Sequence, residues 1–325
     1  MKSNLSLPCF LIFLFTYKKL RDKMDKMLEK FQGSIFGLAI GDALGMPSEW
    51  LTSEEIKEKY GVIDDFLEPR NKFEGILKAG TYTDDTDQMI AILKSFDDSG
   101  FNNEIFIQEL IKWYKRNPIG IGSTSKKAIQ KLIEGDKTGC NSSSSGSAMR
   151  VGPLGLYYYD NYGKLKETTI EATKLTHNSP EAIAAALSVA FFVAESINGE
   201  KSEKSVEKCS KFIEDISLTF SEKIMSIANL SSPKEAYDFF KTGLDATECV
   251  PSAISGFVLT NSFKEGMISV VNAGGDTDSM GSMYGAISGA YYGIKDIPNN
   301  WTFRIKDKEL FYELSKKLHH LKFEK

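Results

Sequence analysis

The amino-acid sequence predicts an all-α protein, and three observations favour this class. Apolar residues recur at helical spacing along most of the 325 residues, and helix-start signals appear at several points. Runs of β-branched residues with strand-like alternation are scarce. No Pro- or Gly-rich linker divides the chain, so we expect one large domain over residues 27–325.

The N-terminal residues differ from the rest of the chain. Residues 5–17 form an apolar run with basic residues on either side. The run is shorter than a membrane-spanning helix, and no small-residue cleavage site follows it. We expect residues 1–26 to be an extension outside the domain, disordered or a cryptic signal or the product of an upstream start codon.

Local helix signals place several elements along the domain. Residues 52–55 (TSEE) read as a capping box that opens a short helix. Ser-Pro pairs at 179–180 and 232–233 supply an N-cap followed by a first-turn proline. Residues 306–321 carry apolar side chains at helical spacing, which predicts a C-terminal helix. Stretches without periodicity, which we expect to be loops, lie at residues 68–82, 117–122 and 135–146.

Two segments carry glycine at every fourth position. Spacing of four places the glycines on one face of a helix, where a second backbone can approach closely. An aspartate within the first stripe and the brevity of both segments argue against membrane spans. We therefore expect two central helices packed tightly together, with the glycines outside any functional site. The two sets are Gly33, Gly37, Gly41 and Gly45, and Gly281, Gly285, Gly289 and Gly293.

The composition limits the kinds of metal site and partner. Three histidines and four cysteines show no CxxC or HxxxH spacing, which argues against a zinc site and a histidine-containing di-iron bundle. Unpaired cysteines are typical of a reduced, cytoplasmic protein. A net charge of -4 argues against general nucleic-acid binding. Any metal ligands must therefore be oxygen atoms.

Two acidic motifs, almost two hundred residues apart, are candidates for such a site. Residues 83–87 (TDDTD) and 276–279 (DTDS) each precede a predicted helix. Helix capping explains one or two of these aspartates, but it does not explain so many carboxylates without a neighbouring cation. If the motifs meet, their oxygens would suit magnesium, manganese or calcium, with two ions about 4 Å apart.

Five motifs, in order along the chain, resemble those of the ADP-ribosylglycohydrolase family. They are GLAIGDALGMPSE at 37–49, TDDT at 83–86, SAMRVGPLG at 147–155, THNSP at 176–180 and GGDTDS at 274–279. The resemblance covers residues 27–292 and includes glycohydrolases that act on dinitrogenase reductase and on ADP-ribosyl-serine and -arginine. It implies a compact orthogonal multi-helix bundle.

The resemblance also implies a cofactor and catalytic roles. The family holds two Mg²⁺ ions, which Mn²⁺ can replace. Glu49, otherwise an ordinary loop carboxylate, matches a mobile glutamate that positions water or acts as general base, and Asp85 and Asp278 complete the implied catalytic set. The implied metal ligands are Thr83, Asp84, Asp85, Asp276, Asp278 and Ser279.

The implied substrate contacts lie on two loops and at one histidine. The loop at 142–150 would receive a diphosphate, while Arg150 is favoured as a structural residue over a phosphate ligand. Relatives carry Asn-Gly where this chain has Ser145-Gly146, and arginine-directed relatives carry aspartate where it has Gly120. The implied substrate-binding residues are Gly120, Gly122, Ser145, Gly146, Ser147, Met149 and His177.

The resemblance implies a hydrolase that removes ADP-ribose from an acceptor and so reverses ADP-ribosylation. The expected partner is an ADP-ribosylated protein or an ADP-ribose-containing small molecule, without stable membrane association, and a monomer is favoured. The acceptor linkage stays open. Two alternatives are a non-catalytic, crystallin-like or ADP-ribose-binding protein of the same fold and a metal-dependent phosphohydrolase.

Overall fold

A computed structural model describes the backbone of residues 7–323 and the side chains from residue 21 onward. Over this range the protein is built from α-helices and short 3-10 helices, and its one sheet is a hairpin of two-residue strands, which confirms the all-α prediction. The α-helices are α1 (Leu7–Gly45), α2 (Ser53–Tyr60), α3 (Asp84–Lys94), α4 (Asn103–Tyr114), α5 (Ser123–Ile133), α6 (Gly152–Tyr157), α7 (Tyr162–Lys174), α8 (Pro180–Ile197), α9 (Glu203–Ile213), α10 (Leu218–Ser226), α11 (Pro233–Phe240), α12 (Ala246–Val258), α13 (Phe263–Val271), α14 (Thr277–Tyr292), α15 (Asn299–Arg304) and α16 (Lys308–Phe323).

Shorter elements complete the described chain. The antiparallel strands β1 (Phe96–Asp97) and β2 (Gly100–Phe101) form the hairpin. The 3-10 helices are Met46–Ser48, Ser145–Arg150, Ile227–Asn229 and Ile294–Asp296. The three predicted loops, at 68–82, 117–122 and 135–146, contain no α-helix, as expected.

Helices α1 and α14 form the centre of the fold and pack through their glycine stripes. A Cβ placed on Gly37 would overlap the carbonyl group of Gly285, and the same holds for Gly33 against Gly289. This confirms the prediction of two closely packed central helices. Side chains elsewhere on α14 pack on α8, α12 and α13, so this helix is buried on nearly every face.

Helix α8 is the most apolar of the described α-helices. It is long and apolar enough to cross a membrane, but 89% of it is buried inside the protein. It packs against α6, α7, α12 and α14, which makes it part of the core. Alanines occupy much of its surface, and their small side chains let these neighbours approach closely.

The predicted helix starts are confirmed. Thr52 and Glu55 form a reciprocal capping box at α2, with Thr52 Oγ1 accepting from the Glu55 backbone N–H at 3.2 Å. Ser179 caps α8 and Ser232 caps α11, each followed by proline in the first turn.

The predicted extension at residues 1–26 lies partly outside the described residues. From Leu7 the backbone is helical, and α1 continues through residue 27 without a break. The predicted boundary therefore falls inside one helix rather than between two elements. Helix α1 ends at Gly45, four residues before Glu49, which lines the functional site.

Candidate active site

The two acidic motifs meet at the N-terminal ends of two helices. Helix α3 begins at Asp84, and α14 begins one residue after Asp276. Carboxylates at such positions are favoured because the exposed N–H groups give a helix N-terminus a partial positive charge. Gly274 and Gly275 both adopt a positive φ, which turns the chain sharply into α14.

The motifs line a cleft of about 310 Å³ that opens to solvent. Oxygen atoms of Glu49, Asp276 and Asp278 lie within 4.8 Å of one another, close enough to share a cation. Loops from distant parts of the chain form the remaining walls. The predicted site residues at the cleft surface are Glu49, Asp84, Asp85, Gly120, Gly122, Ser145, Gly146, Met149, His177, Asp276, Asp278 and Ser279.

Two predicted site residues do not reach the cleft surface. Ser147 is fully buried, and its hydroxyl donates to the carbonyl of Ala182 at 3.4 Å, so the structure provides no surface for its implied substrate contact. Thr83 is also buried, with its hydroxyl donating to Asp42 Oδ1 at 2.9 Å. A hydroxyl that donates its proton still offers lone pairs to a cation.

Asp42 anchors the first motif and was not predicted from the sequence. Its fully buried carboxylate accepts from the backbone N–H of Thr83 at 2.9 Å and from that of Thr86 at 3.1 Å. Both threonine hydroxyls donate to it as well. Four donors therefore fix the first turn of α3 against α1. The sequence signal for this role was the presence of a charged residue, Asp42, within an otherwise apolar, glycine-striped segment.

The segment at residues 241–245 braces the second motif and was also missed. The backbone N–H of Asp276 donates to the carbonyl of Thr242 at 2.7 Å, and that of Ser145 donates to the carbonyl of Leu244 at 3.0 Å. The Ser145 hydroxyl then donates to Asp276 Oδ2 at 2.8 Å. These bonds hold three parts of the chain together: the loop at residues 142–150 (the serine loop), the second acidic motif and the segment at residues 241–245.

Burial makes the carboxylates of the cleft costly to ionise. Desolvation, with the charge of Asp278, raises the pKa of Glu49 to about 8. Desolvation and neighbouring acids raise the pKa of Asp84 to about 7 and that of Asp276 to about 6. The same causes hold the pKa of Asp85 and Asp278 well above the usual range. An acidic cluster of this kind could bind a cation, whose charge would favour the ionised carboxylates.

The oxygen atoms themselves fit a cation. Glu49 Oε2 and Asp85 Oδ2 are buried and have no hydrogen-bond partner among the described residues. Buried polar atoms are usually paired, so these two oxygens, which lie in one acidic cleft, are available to coordinate a cation. Carboxylate and hydroxyl oxygens are the donors preferred by magnesium, manganese and calcium.

His177 contacts the serine loop through the hydroxyl of Ser144. Its ring nitrogens lie 2.9 Å from the hydroxyl of Thr176 and 3.1 Å from that of Ser144. Burial, reinforced by the charge of Arg150, lowers its pKa to about 3, which keeps the ring neutral. A Cβ on Gly146 would lie 2.9 Å from this ring, so the loop follows the imidazole closely.

Arg150 is buried and does not line the cleft. It donates to Gln88 and, at 2.6 Å, to the hydroxyl of Thr176. Gln88 in turn donates to Asp84 Oδ2 at 2.9 Å. This chain of contacts agrees with the structural role favoured for Arg150.

Comparisons with known proteins place the chain in a family. A family model described as ADP-ribosylglycohydrolase matches residues 23–325. An uncharacterized protein of Archaeoglobus fulgidus is 36% identical over 302 residues, which are 91% of this chain and 97% of that protein. The ADP-ribosyl-dinitrogen reductase glycohydrolase of Rhodospirillum rubrum is 28% identical over 282 residues, covering 84% and 89% respectively.

A solved structure has the same fold. An ADP-ribosylglycohydrolase-related protein complex superposes with a TM-score of 0.78 at 26% identity, covering 92% of this chain and 100% of that one. Because the family model spans nearly the whole chain, this protein belongs to the ADP-ribosylglycohydrolase family and is a glycohydrolase.

Proposed function

We propose that the protein is a magnesium-dependent hydrolase that cleaves the glycosidic bond between ADP-ribose and an acceptor, and so reverses ADP-ribosylation. The observation that carries this proposal is the pair of unpartnered buried oxygens, on Glu49 and Asp85, in a cleft walled by acidic side chains. The relative from Rhodospirillum rubrum is named for an ADP-ribosylated protein, which supports a protein-borne acceptor.

Two divalent cations would be held by oxygen atoms from both motifs. When bound, such ions polarise the ribose hydroxyls and a water molecule, which makes the water a better nucleophile at neutral pH. The unpartnered oxygen of Asp85 and the clustered oxygens of Asp276 and Asp278 support this assignment. The proposed ligands are Thr83, Asp84, Asp85, Asp276, Asp278 and Ser279.

Glu49 is proposed as the general base. It accepts a proton from the attacking water, whose oxygen bonds to the anomeric carbon as the bond from that carbon to the acceptor breaks. The acceptor leaves with the bonding electrons and takes up the proton that Glu49 received from the water. Burial supports the role: Glu49 is only 7% exposed, and desolvation raises its pKa to about 8, which favours uptake of a proton.

The serine loop is proposed to bind the diphosphate of ADP-ribose. Ser144 and Gly146 line the cleft, and a Cβ on Gly146 would lie 2.9 Å from the His177 ring. The N–H of Ser145 is already bonded to Leu244, so its hydroxyl and backbone serve to hold the loop rather than to contact phosphate. Gly120, Gly122, Met149 and His177 form the adjoining walls.

The test is release of free ADP-ribose from arginine-linked and serine-linked substrates, with magnesium or with chelator. We expect release with at least one substrate, only in magnesium. Asp64→Asn, at an exposed acid away from the cleft, is the matched control for Asp278→Asn and should retain wild-type activity. Release of AMP or inorganic phosphate instead would indicate a phosphohydrolase, and turnover in chelator would contradict the metal requirement.

A further inference from the structure

Lys72 makes the ion pair that reaches the proposed general base. Its Nζ lies 2.7 Å from Glu49 Oε1, and its side chain lines the same cleft. It lies in the non-helical segment between α2 and α3, outside every motif that identifies the family. The side chain of Lys72 is 45% exposed and that of Glu49 is 9% exposed, so the lysine reaches inward from the mouth of the cleft.

The backbone on both sides of Glu49 is already held by other contacts. Asn71 Nδ2 donates to the carbonyl of Met46 at 2.7 Å and to that of Glu49 at 3.3 Å. The N–H of Trp50 donates to the carbonyl of Gly275 at 2.8 Å. With the main chain fixed at three points, the remaining freedom of Glu49 lies in its side-chain torsions.

The position of the Lys72 ammonium is itself restricted. Its Nζ lies 4.7 Å from the ring centroid of Phe73 and 5.8 Å from that of Trp50, where cation–π attraction holds a cation. Trp50 adopts a positive φ of 69°, a conformation that a bulky residue avoids unless its surroundings impose it. Two aromatic rings and one carboxylate therefore define the place of the ammonium.

We propose that Lys72 is a positioning residue that holds the Glu49 carboxylate in its working orientation through Oε1 and leaves Oε2 free for the water and the cation site. The proposal rests on the proposed function of Glu49 as general base. It assigns Lys72 no direct contact with substrate. A charge-assisted hydrogen bond at 2.7 Å is strong enough to select one rotamer of a glutamate.

The first test separates positioning from substrate binding. Lys72→Met should lower kcat by roughly tenfold to a hundredfold, because a misplaced base loses much of its contribution, and should leave KM within about threefold. Lys72→Arg preserves the ion pair and should recover most of kcat. Lys78→Met removes the same charge from an exposed position on the same segment and is the matched control. A large rise in KM with kcat unchanged would mean that Lys72 binds substrate, and unchanged kinetics would mean that it does neither; both overturn the proposal.

The second test asks whether Lys72 acts through Glu49. In a Glu49→Ala background there is no carboxylate to orient, so adding Lys72→Met should change the single-turnover rate by less than about twofold. An equal loss of rate in both backgrounds would show that Lys72 acts independently. This double-mutant comparison would overturn the positioning role even if the kinetics of the single variant agreed with it.

A third measurement needs no turnover. Calorimetric titration with Mn²⁺ in the absence of substrate should show roughly threefold to tenfold tighter binding to Lys72→Met, because a positive charge has left the edge of the cation site. Lys72→Arg and Lys78→Met should match wild type. Failure of wild type to bind Mn²⁺ would contradict the proposed function, whereas normal binding that Lys72→Met does not alter would contradict the placement of Lys72 alone.

Discussion

Gly41 on α1 and Gly281 on α14 are in backbone contact. A Cβ on Gly281 would lie 2.7 Å from the carbonyl carbon of Gly41, and a Cβ on Gly41 would overlap the carbonyl group of Gly281. Asp42 follows the first glycine, and Asp278 precedes the second by three residues. The close approach of the two helices therefore sets the distance between the anchor of the first acidic motif and the second motif.

Alanine at either glycine should be strongly destabilising. The neighbouring atoms are backbone, which cannot move aside as a side chain can, so Gly41→Ala or Gly281→Ala should lower the free energy of unfolding by about 3 kcal/mol or more. Urea denaturation measures this. Gly163→Ala is the control: its Cβ would meet one side-chain oxygen at 3.6 Å, and alanine should stabilise α7 by roughly 0.5 kcal/mol. Equal effects at the two kinds of site would contradict the packing argument.

Sequence reasoning worked where the determining signal was local or repeated. The capping residues of α2, α8 and α11 each act on the helix that follows them. The repeated glycines predict that a second backbone packs closely against each helix. Whether the two acidic motifs meet stayed open in the sequence, but their carboxylates and hydroxyls indicated what they would bind if they did. Each of these inferences depends on chemistry that is visible within a few residues.

The residues that were missed depend on distant contacts. In the sequence Asp42 looks like an ordinary helix residue. Its role depends on Thr83, 41 positions away, whose backbone N–H donates to its carboxylate. Lys72 resembles a solvated loop lysine until it is found beside Glu49. Thr242 contributes only a carbonyl group, which any residue possesses, so its side chain gave no signal. The family resemblance implied a substrate contact for Ser147, but its side chain is buried within the 3-10 helix Ser145–Arg150.

Stability should depend on pH in the absence of divalent cations. The folded-state pKa values of Glu49, Asp84 and Asp276 are raised to about 8, 7 and 6, so the folded protein binds more protons than the unfolded chain. The free energy of unfolding should then fall as pH rises from about 4 to about 8. Magnesium should reduce this decline, because bound cations stabilise the ionised carboxylates. Denaturation in chelator and in magnesium at each pH tests this, and a rise in stability across the window would contradict it.

Asp278→Asn should separate stability from activity. A neutral amide avoids the cost of a carboxyl that is buried and crowded by other acids, so the cation-free variant should melt at a higher temperature than the cation-free wild type. The same change removes a proposed ligand and should reduce ADP-ribose release by roughly a thousandfold. It should also abolish the rise in melting temperature that magnesium gives to the wild type. A variant that stays active and responds to magnesium would contradict the assignment of Asp278.

Gly120 should control access to the acidic cleft. It adopts a φ of +89°, and a Cβ there would lie 3.5 Å from Thr83 Cβ and 3.6 Å from Asp84 Oδ1, which is ordinary contact. Gly120→Ala therefore adds a methyl group to the cleft wall and strains the backbone without a severe clash. We expect KM to rise by roughly tenfold, because the methyl group and the shifted loop impede substrate binding before the reaction begins.

Gly122→Ala is the comparison variant for this loop, because Gly122 lines the same cleft without a positive φ. Its Cβ would meet no atom within 4 Å, and its φ of -63° suits alanine, so the added methyl group extends into open space. Some stability should be lost, about 1 kcal/mol at most, because Gly122 is the N-cap of α5 and alanine caps poorly. The rise in KM should be smaller than that of Gly120→Ala, because no atom lies within 4 Å of the added methyl group and the backbone is not strained. If both variants raise KM equally, loop flexibility rather than the space beside Asp84 determines substrate entry.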